Sequence, residues 1–561
     1  MLGVLVSAYW TFIYRYGAAG TEVPYTVVRM WNGYVVFGHT SSFSGGGLGD
    51  GDFFMFKTDT FGNLIWEKVY GRKLSSGTQR EDHATWMIRT SDGGFVMIGY
   101  TGLTPYPSDT HHLFVVKTDA WGNVQWAKRI GSSPIYAYET DKPWDVIEDP
   151  NDGSLVIVGQ TDATSGDPAV PGDYDAFVLK LASDGSAIDW QVRLGRFMFG
   201  TDTVLAQLLF DVEADPSGNY LIAGRVEDSV RSYTSGDPED WDVYIVKISP
   251  AGDTIWTRRY RGQSSYYFVS GNRESAIGLT VLPSGNLIVG GYSNTWESPA
   301  NDPSYRDILL MKVRGSDGAV EWARIVQSPG TLDRVRNLYY DNGYVYVAGE
   351  MSGDAVLIKM DTSGNLVWAK KFSTTNYDVG RYAITSSVDN LLHVVFLASS
   401  GGDAYLMQLD GEGNYLRPAI CGSITSLPLN LQSVSMYALP TRDSLYALTF
   451  AVRSALTATG SGIVADTVCP LGENFDLAVG EMGTCPHVLV GAFRDGLRVR
   501  AALPGTYTFT VMDVSGRVVG RVSLHLTQGS HVVRLPLRGG VKFVEVERDG
   551  RRMGTFKVIV R

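Results

Sequence analysis

Along roughly the first 420 residues, apolar positions come in short runs punctuated by Gly, Asn, Asp and Ser. The clearest runs end in glycine: FVMIG at 95–99, LVIVG at 155–159, YLIAG at 220–224, LIVGG at 287–291 and VYVAG at 345–349. A continuous apolar run of this length predicts a strand covered on both faces. No stretch sustains a 3.6-residue period over the length of a helix. The chain is therefore expected to be all-β.

The runs belong to a repeat. KTDTFGNLIWEKVYG starts at Lys57, KTDAWGNVQWAKRIG at Lys117 and KLASDGSAIDWQVRLG at Lys180. Further copies start at Lys247, Lys312 and Lys359, and a faded one at Gln408. Trp10, Trp66, Trp126, Trp190, Trp256, Trp322 and Trp368 mark the copies. The second copy parses into strands a (84–90), b (95–101), c (112–118) and d (124–131), with a DxxGN hairpin turn between c and d. Four strands per repeat predict one blade of a β-propeller. The glycines closing strand b (Gly38, Gly99, Gly159, Gly224, Gly291 and Gly349, with Ala398 in the last copy) are expected where a side chain would crowd backbone. The tryptophans are expected to wedge between blades.

Eight blades are expected, with seven as the alternative. Residues 431–439, 444–453 and 462–468 read as strands a, b and c of an eighth blade. Residues 9–17, which carry the strand d signature, would close it and remove exposed edges. In the seven-blade alternative, residues 422–470 form a linker. The expected domains are 1–470, the propeller, and 471–561, a small immunoglobulin-like β-sandwich.

That second segment alternates apolar and polar positions, as an antiparallel sandwich requires. Its MDVSGRVV hairpin (512–519), GSHVVRLPL (529–537), GGVKFVEVERDG (539–550) and terminal FKVIV resemble the C-terminal sorting domain of the bacterial type IX secretion system. Lys542 stands where that family commonly has Tyr. The resemblance implies export across an outer membrane, hence an extracellular or outer-surface location with the secretion machinery as a partner. Charge divides within that segment: 487–561 carries a net +8 and the remainder of the chain −19. An acidic body disfavours nucleic acid, and the basic tail suits an anionic surface. The short apolar stretch 2–8 has no basic residue before it, so the chain is expected to begin inside the fold, with any signal peptide removed or missing. No transmembrane segment is expected.

Candidate chemistry is sparse. The eight His residues show no zinc spacing. Neighbours in a strand point to opposite faces, so His111 and His112 are not expected to share an ion. Acids before strand c (Asp50, Asp52, Asp173, Asp175, Asp240, Asp242) are weak calcium candidates, or loop caps. Cys469 and Cys485 are candidates for a disulfide, leaving Cys421 over. The b–c and d–a connections are long in the first five blades and carry aromatics suited to protein or glycan contacts: Phe43, Tyr106, Tyr136, Tyr138, Phe197, Phe199, Tyr233, Tyr266, Tyr267, Phe268, Trp296 and Tyr305.

With no catalytic constellation found, the expected function is a secreted or cell-surface structural or binding protein. It would need no cofactor, and a homo-oligomer or filament built through the long-loop face and the tail is one expected assembly. The alternative is a propeller enzyme. DxxGNxxW resembles the tryptophan-docking repeat of quinoprotein dehydrogenases, although their adjacent cysteine pair is absent, and loosely echoes the Asp-box of sialidases. Converging carboxylates and arginines at the ring axis would favour a carbohydrate-active or quinone-dependent enzyme. An axis lined by plain backbone would favour the structural reading.

Overall fold

The computed structural model describes the strands and tight turns between residues 12 and 560. Segments 1–11, 42–50, 73–81, 103–110, 132–139, 162–173, 196–206, 228–240, 263–272, 295–305, 328–332, 415–422, 467–487 and some shorter joins lie outside the described residues. Two compact units are present, Met1–Asp476 and Leu477–Arg561.

The first unit is a seven-bladed β-propeller. Blade 1 consists of strands a (Glu22–Met30), b (Gly33–Thr40), c (Asp52–Thr58) and d (Leu64–Arg72). The a strands of blades 2 to 7 are Asp82–Arg89, Asp141–Glu148, Gln207–Ala214, Glu274–Val281, Arg334–Asp341 and Asp378–Val388. They contact one another around the axis and form the innermost ring. All strand pairs within a blade are antiparallel. No helix occurs among the described residues.

Every a strand carries a β-bulge at the same place, for example between Pro143 and Asp145, Leu209 and Asp211, and Ala276 and Gly278. The strand b glycine sits opposite the bulge. A Cβ on Gly159 would lie 2.2 Å from the Lys142 carbonyl oxygen, and one on Gly291 would lie 1.7 Å from that of Ser275. In blade 7 the two residues trade places, with Gly380 on strand a facing Ala398 on strand b. The glycine pattern is therefore the sequence trace of a bulge, which twists the strand and frees one extra side chain per blade at the axis.

Blades interlock through the hairpin signature. In each DxxGN turn the Asp accepts bonds from the Asn: Asn123 donates its backbone N–H and its Nδ2 to Asp119 at 2.9 and 2.8 Å. The turn glycine then leaves room for the tryptophan of the preceding blade. Gly252, at φ +91°, would place a Cβ 3.0 Å from the Trp190 ring. Trp190 Nε1 donates to the Pro250 carbonyl at 3.0 Å, and Trp256 Nε1 to that of Gly315 at 3.2 Å. The repeated lysine of strand c ties down the a–b turn. Lys180 Nζ lies 2.5 Å from Asp149 and 2.8 Å from Asp152, and Lys247 Nζ lies 2.7 Å from Asp215.

Closure differs from the expected eight-blade arrangement. The N-terminal strand Phe12–Tyr16 does supply a missing strand d, but it pairs with Asp403–Asp410 of blade 7, whose own chain leaves after strand c. The segment expected as an eighth blade is a perimeter belt. Its strands Ser423–Ser426, Asn430–Ser433, Met436–Leu439, Ser444–Tyr446, Ala451–Arg453 and Ile463–Asp466 add a fifth strand to blades 6, 5, 4, 3, 2 and 1 in turn. Each pairs antiparallel with the last residues of a strand d, as Met436–Leu439 does with Arg259–Gly262. Three or four extended residues suffice to cover the end of one edge before the chain must cross to the next blade. Such a stretch reads as an ordinary short strand.

The second unit contains a three-stranded sheet (Val488–Phe493, Gly496–Ala501, Gly529–Arg534) and a four-stranded one (Gly505–Met512, Val518–Leu526, Gly540–Arg548, Arg551–Val560). Tyr507, Phe509 and Val511 are buried on one side of its central strand, where alternate residues must share a face.

Two outcomes follow from this architecture. Gly291→Ala is expected to lower unfolding stability by about 1–3 kcal/mol through overpacking against the bulge. Gly102→Ala, where a Cβ meets nothing within 4 Å, should be near neutral, and denaturant melts of both variants check the contrast. A chain ending at residue 422 should show faster hydrogen exchange at the ends of the d strands of blades 1 to 6. Strand Phe12–Tyr16 of blade 7, which has no belt partner among the described residues, should be unchanged.

Candidate ligand site at the axial mouth

The acids expected at strand c are partly engaged. Asp175 accepts from Arg193 Nε at 2.6 Å, and Asp242 lies 3.1 Å from Arg259 and 2.9 Å from Arg261. Asp52 is buried beside Gly71. Asp50, Asp173 and Asp240 lie outside the described residues, as do Cys421, Cys469, Cys485, Trp10 and all the loop aromatics from Phe43 to Tyr305. His111 and His112 diverge as strand neighbours must. His111 meets the Tyr100 ring edge-on, and His112 Nδ1 lies 3.5 Å from buried Asp141. Among the described residues no group of three metal-ligating side chains converges.

A different cluster surrounds the axis on the long-loop face, where strand a begins and strand b ends. The bulges place Tyr25, Thr85, Trp144, Phe210, Ile277, Arg336 and Arg381 there. Blades 1 to 3 contribute rings: His39 stacks on His83 (centroids 4.9 Å, 3°), and His83 on Tyr100 (4.8 Å, 19°). Trp144 donates Nε1 to Gln160 at 3.0 Å and meets Phe210 at 5.6 Å. Blades 4 to 7 add guanidinium groups. Arg225 lies over Trp241 at 4.1 Å and donates to the Tyr292 hydroxyl at 3.1 Å, while Arg306 covers the Tyr292 ring at 4.4 Å. Arg381 lies over Tyr25 at 5.5 Å and donates to Ser399 at 3.1 Å. Cation–π contact holds each fork in place without neutralising it.

Among the described residues, one carboxylate bonds the two arginines of blade 6. Glu350, fully buried, accepts from Arg334, from Arg336 at 3.0 Å and from the Tyr377 hydroxyl at 2.9 Å. Burial alone would raise its carboxyl, but the two arginines outweigh that and hold it below the usual value. Burial, then repulsion from Arg381 and Arg334, pushes Arg336 down to about 10. It therefore stays charged at neutral pH.

Deeper along the axis lie several of the residues that follow the bulges. Trp86 of blade 2 and Tyr382 of blade 7 meet with centroids 5.4 Å apart, past the intervening blade 1. Asp145 accepts the N–H of Val212 at 2.9 Å, Asp211 that of Leu279 at 2.7 Å, and Glu213 that of Val281 at 2.7 Å. Each carboxyl thus satisfies the inner edge of the next blade, where no further strand exists to do so. Burial and then Asp211 raise Asp145 well above its ordinary value and Glu213 to about 8, and burial also raises Asp211.

The expectations for the axis divide accordingly. Arginines, aromatics and carboxyls line it rather than plain backbone. Sequence reasoning missed them because a bulge shifts register by one residue and leaves no mark on the apolar pattern. The repeated Gly facing the bulge was the available signal.

The raised carboxyls fix a pH dependence. Between about 4.5 and about 8 the folded state holds a proton on Glu213 that the unfolded chain has lost, so stability falls as pH rises through that window. Glu213→Gln should keep the bond to Val281 and flatten the slope. Melting temperatures from pH 5 to 9 should show the variant gaining on the natural chain toward alkaline pH.

No known protein family matches the sequence, and no curated protein sequence is similar to it. Among solved structures, a candidate 6-phosphogluconolactonase from Bacteroides uniformis aligns over 73% of this chain and 100% of its own, at 11% identity and TM-score 0.34. A sialidase from Trypanosoma rangeli, in complex with sialic acid, aligns over 96% and 83%, at 11% identity and TM-score 0.31.

Proposed function

We propose that the chain is a secreted or cell-surface glycan-binding protein whose recognition site is the axial mouth on the long-loop face. The observation that carries this reading is the ring of aromatic and cationic side chains around the mouth, held by mutual stacking. Flat apolar faces beside polar donors suit sugar rings, which present C–H patches edged by hydroxyls. The other surfaces of the propeller have evident structural work. The tight-turn face is occupied by the Trp–turn and Lys–Asp interlocks, and the perimeter of six blades by the belt.

Binding is favoured over cleavage. Glycoside hydrolysis commonly uses two carboxyl groups about 5–9.5 Å apart, one of them with a raised pKa. In the mouth Glu350 has a lowered pKa and is engaged by two arginines, and the raised carboxyls below it, Asp145, Asp211 and Glu213, are tied to backbone N–H groups of the next blade. A carbohydrate-active enzyme remains the second reading, supported by the arginines and carboxyls that share the axis. The C-terminal unit, read as an immunoglobulin-like sandwich with surplus positive charge, would serve as the export module.

The test is a titration of the full chain against a panel of neutral and acidic oligosaccharides. At least one should bind, and Trp144→Ala should weaken it by about tenfold without moving the melting temperature. Binding without release of reducing ends supports the first reading, and turnover of any panel member supports the second. A panel with no binder and no substrate would remove the glycan assignment.

A further inference from the structure

Buried acids head the a strands of five blades on this face (Glu22, Asp82, Asp141, Glu274 and Asp378), yet three arginines of the mouth are not bonded to any of them. Among the described residues, Arg225, Arg306 and Arg381 have no carboxylate within hydrogen-bonding distance. Arg334 and Arg336 share the single carboxylate of Glu350. Among the described residues, the buried Nε groups of Arg225, Arg306 and Arg336 meet no acceptor. An unanswered buried N–H costs free energy, and gathering like charges costs more. Burial, together with repulsion from Arg273, Arg334 and Arg225, lowers the Arg306 pKa. A folded chain that tolerates such an arrangement at the ring axis has a place for an oxyanion.

Resting on the reading of the mouth as a glycan site, we propose that its ligand is an acidic saccharide, whose carboxylate or sulfate groups are held by the arginines of blades 4 to 7 while a sugar ring lies against the aromatics of blades 1 to 3. A guanidinium fork offers parallel N–H donors that match either oxyanion, and the forks of Arg225, Arg306 and Arg381 are oriented by an aromatic face before ligand arrives. Pre-orientation reduces the ordering cost on binding. The floor opposes an anion less than three exposed carboxylates would, because burial raises Asp145, Asp211 and Glu213, the last to about 8. A long polyanion such as nucleic acid is disfavoured, since beyond the mouth it would face the net −19 body.

The experiment is calorimetric titration of the full chain with oligogalacturonate as the carboxylate probe and a heparin-derived oligosaccharide as the sulfate probe. Each is paired with its neutral counterpart, carboxyl-reduced or desulfated, and a short single-stranded DNA is the polyanion control. At least one acidic probe should bind at least about tenfold more tightly than its counterpart, and the arm that binds identifies the oxyanion. Arg225→Ala and Arg306→Ala should each cost about tenfold, with Arg306→Lys intermediate because it keeps the charge but loses the fork. Arg15→Ala, at the outer edge of blade 7, should change nothing. If removing a guanidinium unfolds the chain, Arg306→Lys carries the comparison. Equal binding of acidic and neutral partners would overturn the acidic assignment while leaving the glycan reading intact. Acidic binding indifferent to all the arginine variants, or matched by DNA, would also overturn it. The absence of any saccharide binding would remove both.

Discussion

A ring of sheets is limited by its seam. Seven blades that pack face to face on their neighbours still leave a first and a last blade to be joined, and every outer strand presents an unpaired edge. This chain meets both demands with strand pairing. Residues 12–16 complete blade 7 from the opposite end of the sequence. The belt then pairs blades 6 to 1 in reverse order, so that a single segment spans six blades. Opening the ring anywhere among those blades requires breaking belt pairs as well as the face-to-face core.

The inner edge poses the same difficulty at smaller radius. No strand fits inside the a strands, so their axis-facing N–H groups need other acceptors. The bulge and the carboxyls of Asp145, Asp211 and Glu213 answer this in blades 3 to 5, each reaching the backbone of the next blade. Carboxyls in that position are desolvated, and burial shifts each of them toward the neutral form. Above them the same bulges aim Trp144, Phe210, Arg336 and Arg381 at the mouth. One backbone irregularity, repeated seven times, thus both seals the interior and supplies the side chains of the candidate site.

Much of the scaffold was legible in the residues themselves. The DxxGN turn, the strand b runs and the marker tryptophans depend on contacts within a repeat or with the blade beside it, so they recur at a fixed offset in the sequence. Trp190 meeting the turn at Gly252 is such a case. The candidate site was not legible. Arg225 and Arg306 sit in different blades and at different strand positions, and nothing local distinguishes them from ordinary surface arginines, while Arg381 was marked only by the glycine at its bulge.

The sequence by itself determined that the chain is a propeller, that strand b of six blades needs a glycine near its end, and that an N-terminal strand returns to close the ring. These are consequences of local repetition and of sterics within one blade. The tertiary structure alone decided the number of blades, the fate of residues 423–466 and the composition of the axial mouth. Ring size is set by the angle between neighbouring blades, and belt pairing by which edges remain open once the ring has closed. Both are properties of the assembled circle, which no stretch of forty or sixty residues contains.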